Sequence, residues 1–106
     1  MKHKVELEEL WVPIEGYPNY EISNYGRVVN VNTDHELAIN CTKYKPSSVR
    51  LFKNGVPKAF YVHRLVAQAF FLNYRDDVEV LHVNKRHIHD NSVMNITLGG
   101  PMKNPK

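Results

Sequence analysis

Four residues near the C-terminal end of this sequence have the types that phosphodiester hydrolysis needs: His82, Asn91, Asn95 and Asn104. His82 sits in a short apolar run, Val80-Leu81-His82-Val83, that reads as a strand. A polar loop separates it from a second short strand, Ile96-Thr97-Leu98. A histidine beside an amide-rich loop and a site for oxygen ligands is the equipment of a nuclease working with one metal ion. In that arrangement His82 is the general base, while Asn95 and Asn104 position the loop and the cation. The same segment argues against itself, because Leu81 stands where such a site needs a carboxylate.

These residues also admit other readings. His82, His87 and His89 invite a zinc site, yet the loop has no nearby cysteine. Asn91 and Asn95 suit loop capping through bonds from side chain to backbone. Glu79 shares a strand face with Leu81, roughly 6–7 Å along, and with Asp90 is a candidate to replace the missing acid.

The elements that must position this segment are read from pattern. Glu8-Glu9-Leu10, with Val5 to Leu7 before it, forms an acidic, helical or frayed lead, and Trp11, Val12 and Ile14 begin the packed part. Gly16 to Asn19 reads as a turn. Tyr20 to Ser23 and Arg27 to Val31 read as strands around Asn24-Tyr25-Gly26. A second hairpin, Ser48 to Phe52 with Lys58 to Val62, flanks Asn54-Gly55, the preferred pair for a two-residue turn with positive φ. Pro57 cannot donate to a ladder and belongs at an edge. Val62, Leu65, Val66, Ala69 and Phe70 fall at helical spacing and make one apolar stripe. Trp11, Tyr17 and Tyr20 are expected as core and turn anchors.

The 106 residues suit one domain, at 42% hydrophobic and 24% charged. No run of 18 apolar residues and no signal-peptide pattern is present, which excludes a membrane role. The single cysteine, Cys41, forbids an internal disulfide, fits a reducing cytoplasm and is expected as a small buried filler. Net charge is +3, unevenly spread. Residues 1–36 hold seven acidic and three basic side chains, whereas residues 37–75 hold seven basic side chains and no acid. Such a block is a footprint for a phosphate backbone. Its candidate contacts are Lys43, Lys45, Arg50, Lys53, Lys58 and Arg64, with Arg27 from the preceding strand. Arg50 is the one expected to reach a base edge.

The run Trp11-Val-Pro-Ile-Glu-Gly-Tyr-Pro-Asn-Tyr-Glu-Ile-Ser-Asn-Tyr-Gly-Arg-Val resembles the sheet module that precedes the nuclease core in phage HNH homing endonucleases. Val62-His-Arg-Leu-Val-Ala-Gln-Ala-Phe-Phe is similar to the helix that introduces that core. Leu81-His82-Val-Asn, Asp90-Asn91-Ser-Val-Met-Asn95-Ile and Asn104 resemble the HNH, or ββα-metal, segment itself.

The resemblance implies a sheet that lies on duplex DNA and a core that cuts or nicks one strand with a single Mg²⁺ or Mn²⁺. It implies that His82 activates a water, that Asn95 orients this histidine and the loop, and that Asn104 completes the metal site from a following helix. Two departures stand out. The family's aspartate before the histidine is Leu81 here, which offers neither oxygen nor charge. Gly99-Gly100-Pro101-Met102-Lys103-Asn104-Pro105-Lys106 carries two glycines and two prolines, so the helix is expected to be absent.

The expected fold is α+β: antiparallel hairpins and one amphipathic helix leading into a truncated ββα-metal motif. Residues 1–106 are expected as a single domain, with the sheet module over 11–62 and the HNH-like core over 62–106. The expected function is that of a DNA-binding, HNH endonuclease-like phage protein in the cytoplasm of a bacterial host, its catalysis weakened or lost. One rival is an active metal-dependent nickase in which Glu79 or Asp90 replaces the lost ligand. Another is a catalytically dead phage protein that binds and inhibits a host protein. No small-molecule substrate is implied.

Overall fold

Asn54 and Gly55 take φ values of 52° and 78°, both positive as a two-residue hairpin turn requires. In the computed structural model, which describes residues 8–101, this turn joins β6 (Lys45–Lys53) to β7 (Val56–Tyr61). The two strands pair from Ser48 opposite Tyr61 to Lys53 opposite Val56. β5 (Asn40–Thr42) adds to the other side of β6 and leaves β7 with its Pro57 at the sheet edge. Upstream, β1 (Trp11–Ile14), β2 (Tyr17–Ser23), β3 (Val28–Asn30) and β4 (His35–Glu36) form an antiparallel sheet in chain order. β8 (Val78–His82) and β9 (Ile96–Pro101) make a third, two-stranded antiparallel sheet.

Between the second and third sheets runs α1 (Val62–Phe70). Its first turn has no acid and its N-terminus no side-chain cap, and nine residues are too few to be helical alone in water. Packing holds it. Val62, Leu65, Val66 and Ala67 are buried among Ile14, Tyr20, Ile22, Val28, Val49, Leu51, Val80 and Ile96, so one apolar cluster draws on all three sheets. Each such side chain contributes roughly 1.5–3 kcal/mol by leaving water. The α+β class and the amphipathic helix therefore agree with the sequence pattern, as do the strands that flank the turn at Asn54-Gly55.

Several local expectations are corrected. The turn before β2 is confined to Glu15 and Gly16, and Tyr17 to Asn19 are strand. Tyr17 is drawn there by edge-on packing against Phe60, with ring centroids 5.1 Å apart. Glu8 to Leu10 are not helical, because the Asn24 side chain takes the Leu10 N–H at 2.8 Å and donates to the Glu8 carbonyl at 2.9 Å. Val5 to Leu7 lie outside the described residues. Cys41 is exposed rather than buried. The last strand does not stop at Leu98 but continues through Gly99 and Gly100 to Pro101, which pairs with Val78. A Cβ at Gly99 would sit 3.1 Å from Cδ1 of Leu81, a tight approach to the end of a half-exposed side chain. The helix expected to be absent after Pro101, and Asn104 with it, lie outside the described residues.

Candidate active site and nucleic-acid interface

Strand β8 delivers His82 half-buried, opposite Ile96 of β9, at the mouth of the polar loop. Its Nε2 lies 2.9 Å from Oδ1 of Asn91, which is itself 5% exposed. The Asn91 amide nitrogen donates to the His89 carbonyl at 3.3 Å. The sequence assigns the orientation of the histidine to Asn95, but Asn91 makes the direct bond. Asn95, 7% exposed, is fully occupied with the loop backbone. Its amide nitrogen donates to the carbonyls of His87 at 3.0 Å and Asp90 at 2.9 Å, and its oxygen accepts from the Asn84 N–H at 3.0 Å. The Asn95 carbonyl receives the Val83 N–H at 2.7 Å. Asn95 thus shapes the loop, and Asn91 holds the ring.

The sheets reach into this loop at three points. The Asn24 carbonyl accepts from the Val93 N–H at 2.9 Å. Gly26, at φ +84°, lies so close to Asn91 that an added Cβ would come within 3.0 Å of the Asn91 Cβ. From the second sheet, Oγ of the fully buried Ser47 is hydrogen-bonded to Nδ1 of His89 at 2.7 Å. The Ser23-Asn24-Tyr25-Gly26 turn is therefore more than a link between β2 and β3. The sequence shows it as a turn because of its residue types; nothing local says that it grips a loop some 65 residues away.

The helix supplies a further neighbour that sequence reading passed over. His63, 7% exposed, places its ring 4.8 Å from that of His82, tilted by 35°. Its Nδ1 is buried without a hydrogen-bond partner among the described residues. Burial, with His82 and Arg64 adding to it, lowers the pKa of His63 to about 4, so its ring is neutral at ordinary pH. The spacing His63-Arg64 at a helix start gave no hint of this, because the contact is made only when α1 crosses β8.

Leu81 is 41% exposed on the strand face that Glu79 shares, and both lie against Gly99. Glu79 is a single carboxylate there. Asp90, the other candidate acid, caps the loop instead, its Oδ1 accepting from the Ser92 N–H at 3.2 Å. No group of three or more His, Cys, Asp or Glu side chains is arranged to hold a metal among the described residues. His82 and His89 each have one ring nitrogen engaged, by Asn91 and Ser47, and no cluster of three such ligands forms among the described residues.

The expected cationic contacts separate into four groups. Arg27 and Arg64 are used inside the fold. Arg27 lies 2.6 Å from Glu9 and 2.7 Å from Glu36 and over the Trp11 ring, and its hydrogen bond holds the Glu36 carboxyl below its usual range. Arg64 donates to the carbonyls of Val78 and Asp76 and to the Tyr74 hydroxyl, so it ties α1 to the entry of β8. Arg50 is exposed on β6 beside Phe52, lining an open pocket with Tyr20, Asn30, Thr33 and His35 of the first sheet, with Ala59 opposite it on β7. Lys53 and Lys58 lie on the opposite face, over the rings of Tyr17 and Phe60. Lys43 sits in the turn before β6, over Tyr44, and Lys45 lines an open groove with Asn40, Thr42 and Pro46. The basic block is exposed, but it does not form one flat face.

Comparison with known proteins adds to this geometry. A model of the NUMOD4 motif matches residues 9–62. The DNA endonuclease I-HmuI of Bacillus phage SP01 is 37% identical over 73 residues, 68% of this chain and 42% of the relative. An uncharacterized HNH endonuclease of Acanthamoeba polyphaga mimivirus is 37% identical over 83 residues, 77% of this chain and 24% of that protein. A solved structure, which concerns DNA binding and cleavage by the HNH homing endonuclease I-HmuI, matches with a TM-score of 0.78 at 32% identity. That match covers 86% of this chain and 52% of the solved one. The chain spans less than half the length of the curated relatives it matches.

Proposed function

This chain belongs to the phage HNH homing endonuclease family, and from that premise we propose that it binds duplex DNA through its sheets while its nuclease chemistry is weakened or lost. The observation that carries the second half is Leu81: a hydrocarbon occupies the position beside His82 where the family's metal-binding acid is expected. A hard cation is usually held through at least one carboxylate. What this chain's own residues supply is a positioned base. His82 is half-buried, fixed by Asn91 and backed by the neutral ring of His63. A general base alone contributes roughly 10²–10⁴ in rate, and loss of the metal removes several kcal/mol of transition-state stabilisation at about 1.4 kcal/mol per tenfold.

The DNA half is supported by Lys43, Lys45, Arg50, Lys53 and Lys58, all exposed and none ion-paired with an acid among the described residues. Lysines over aromatic rings keep their charge outward and suit phosphate; Arg50 beside Phe52 suits a base edge. Binding in the bacterial cytoplasm during phage growth is the setting this implies. One observation favours a second reading, an active nickase: Glu79 shares the face of Leu81 and offers the only carboxylate there among the described residues.

Supercoiled plasmid incubated with the protein and Mg²⁺ or Mn²⁺, beside a His82→Ala control, separates the two. Nicking that vanishes in the control establishes the nickase; equal background in both supports the weakened site. Duplex binding titrated against salt tests the first half. Affinity that falls by about 0.9 log unit per phosphate contact per decade of salt is expected. No binding at low salt, with a host protein recovered on the immobilised chain, would instead favour an inhibitor.

A further inference from the structure

We infer that Asn91 is the positioning residue that sets the tautomer of His82, leaving Nδ1 as its only proton-accepting nitrogen, and that Gly26 of the first sheet seats Asn91 for this task. A side-chain amide has one acceptor atom and one donor atom. The donor of Asn91 is taken by the His89 carbonyl at 3.3 Å, and a flipped amide would set oxygen against oxygen. Oδ1 therefore faces Nε2 of His82 at 2.9 Å. An amide oxygen only accepts, so Nε2 carries the hydrogen. A neutral imidazole has one N–H, and the lone pair is left on Nδ1.

Asn95 is turned to the loop backbone instead, its amide bonded to Asn84, His87 and Asp90. The ring plane of His82 is fixed from the side by His63 at 4.8 Å. Asn91 is fixed by its surroundings in turn. At Gly26 an added Cβ would meet the Asn91 Cβ at 3.0 Å and its carbonyl oxygen at 3.3 Å, backbone-anchored atoms that cannot swing aside. The positive φ of Gly26, +84°, further disfavours any side chain. The turn between β2 and β3 thus reaches across the domain to select a protonation form in the hairpin.

The catalytic consequence rests on reading His82 as the general base; the tautomer itself does not. Long-range ¹H–¹⁵N spectra of the full chain at neutral pH report it directly. The wild type is expected to show His82 with a protonated Nε2, a bare Nδ1 and a slowly exchanging Hε2. Asn91→Asp keeps an acceptor facing Nε2 and is expected to keep that nitrogen protonated, while losing the bond to the His89 carbonyl. Asn91→Ala is expected to release it, with Hε2 exchanging at least about tenfold faster and Nδ1–H appearing in part; Gly26→Ala, by displacing Asn91, moves the same way. A protonated Nδ1 in the wild type, or an unchanged Hε2 in Asn91→Ala, overturns the inference. Should Asn91→Ala fail to fold, loss of the Nε2 proton in Asn91→Asp would overturn it equally. Nicking plays no part in these readouts, so a protein that fails as a nuclease still reveals which ring nitrogen holds the proton.

Discussion

The sheet β5–β7 and the loop closed by β8 and β9 use their polar residues in opposite ways. In the sheet, alternation and one good turn supply the structure, and the cations are left over on the surface. In the loop, Asn84, Asp90, Asn91, Asn95 and His89 are all consumed in holding backbone or ring. A loop braced by amides does not need an acid at position 81 to stand. On the function proposed above, fold and catalysis would be carried here by different side chains.

The largest effect expected from this contrast is a gain. Leu81→Asp returns a carboxylate beside His82 and is predicted to raise Mg²⁺- or Mn²⁺-dependent plasmid nicking by at least about 100-fold, on the grounds that a bound cation is worth several kcal/mol. No gain over the parent would mean that the site lacks more than its acid. Next, Asn95→Ala removes three hydrogen bonds from a buried amide and leaves two carbonyls and one N–H unmet; a loss of about 3–4 kcal/mol is expected in urea unfolding. A change under about 1 kcal/mol would show the loop to be held elsewhere.

His63 sharpens the comparison through pH. Its folded pKa, about 4, lies below its ordinary value of 6.5, so the unfolded chain takes the proton first as pH falls. Its contribution is whole above about pH 6.5, drains away toward pH 4 and is flat below. The loss is on the order of 3 kcal/mol, and His63→Gln should flatten the curve of unfolding free energy over that window. The smallest effect concerns the sheet. Lys53→Ala with Lys58→Ala is expected to lower the salt slope of duplex binding by about 0.9 for each phosphate no longer neutralised. Arg27→Ala should leave that slope alone, because its guanidinium is already taken by Glu9 and Glu36. If Arg50→Ala lowers the slope and the lysine pair does not, the solvent face of β6 meets DNA and the Tyr17 side does not.

What the sequence determined by itself was everything with a local cause. Asn54-Gly55 demanded a hairpin, and the spacing of Val62, Leu65, Val66 and Ala69 demanded a helix. Local composition also misled: Gly99-Gly100-Pro101 looks like a stop, yet β9 runs through it and pairs Pro101 with Val78. Only tertiary structure decided which amide holds His82, that Arg64 is spent on β8 while Arg50 has no ion-pair partner among the described residues, and that Gly26, Ser47 and His63 belong to the loop's surroundings. Those facts depend on contacts between residues tens of positions apart, which no pattern along the chain records. The short-range dihedral and hydrophobic preferences are written in neighbouring residues; the partner of a hydrogen bond is chosen only once the sheets close around the helix.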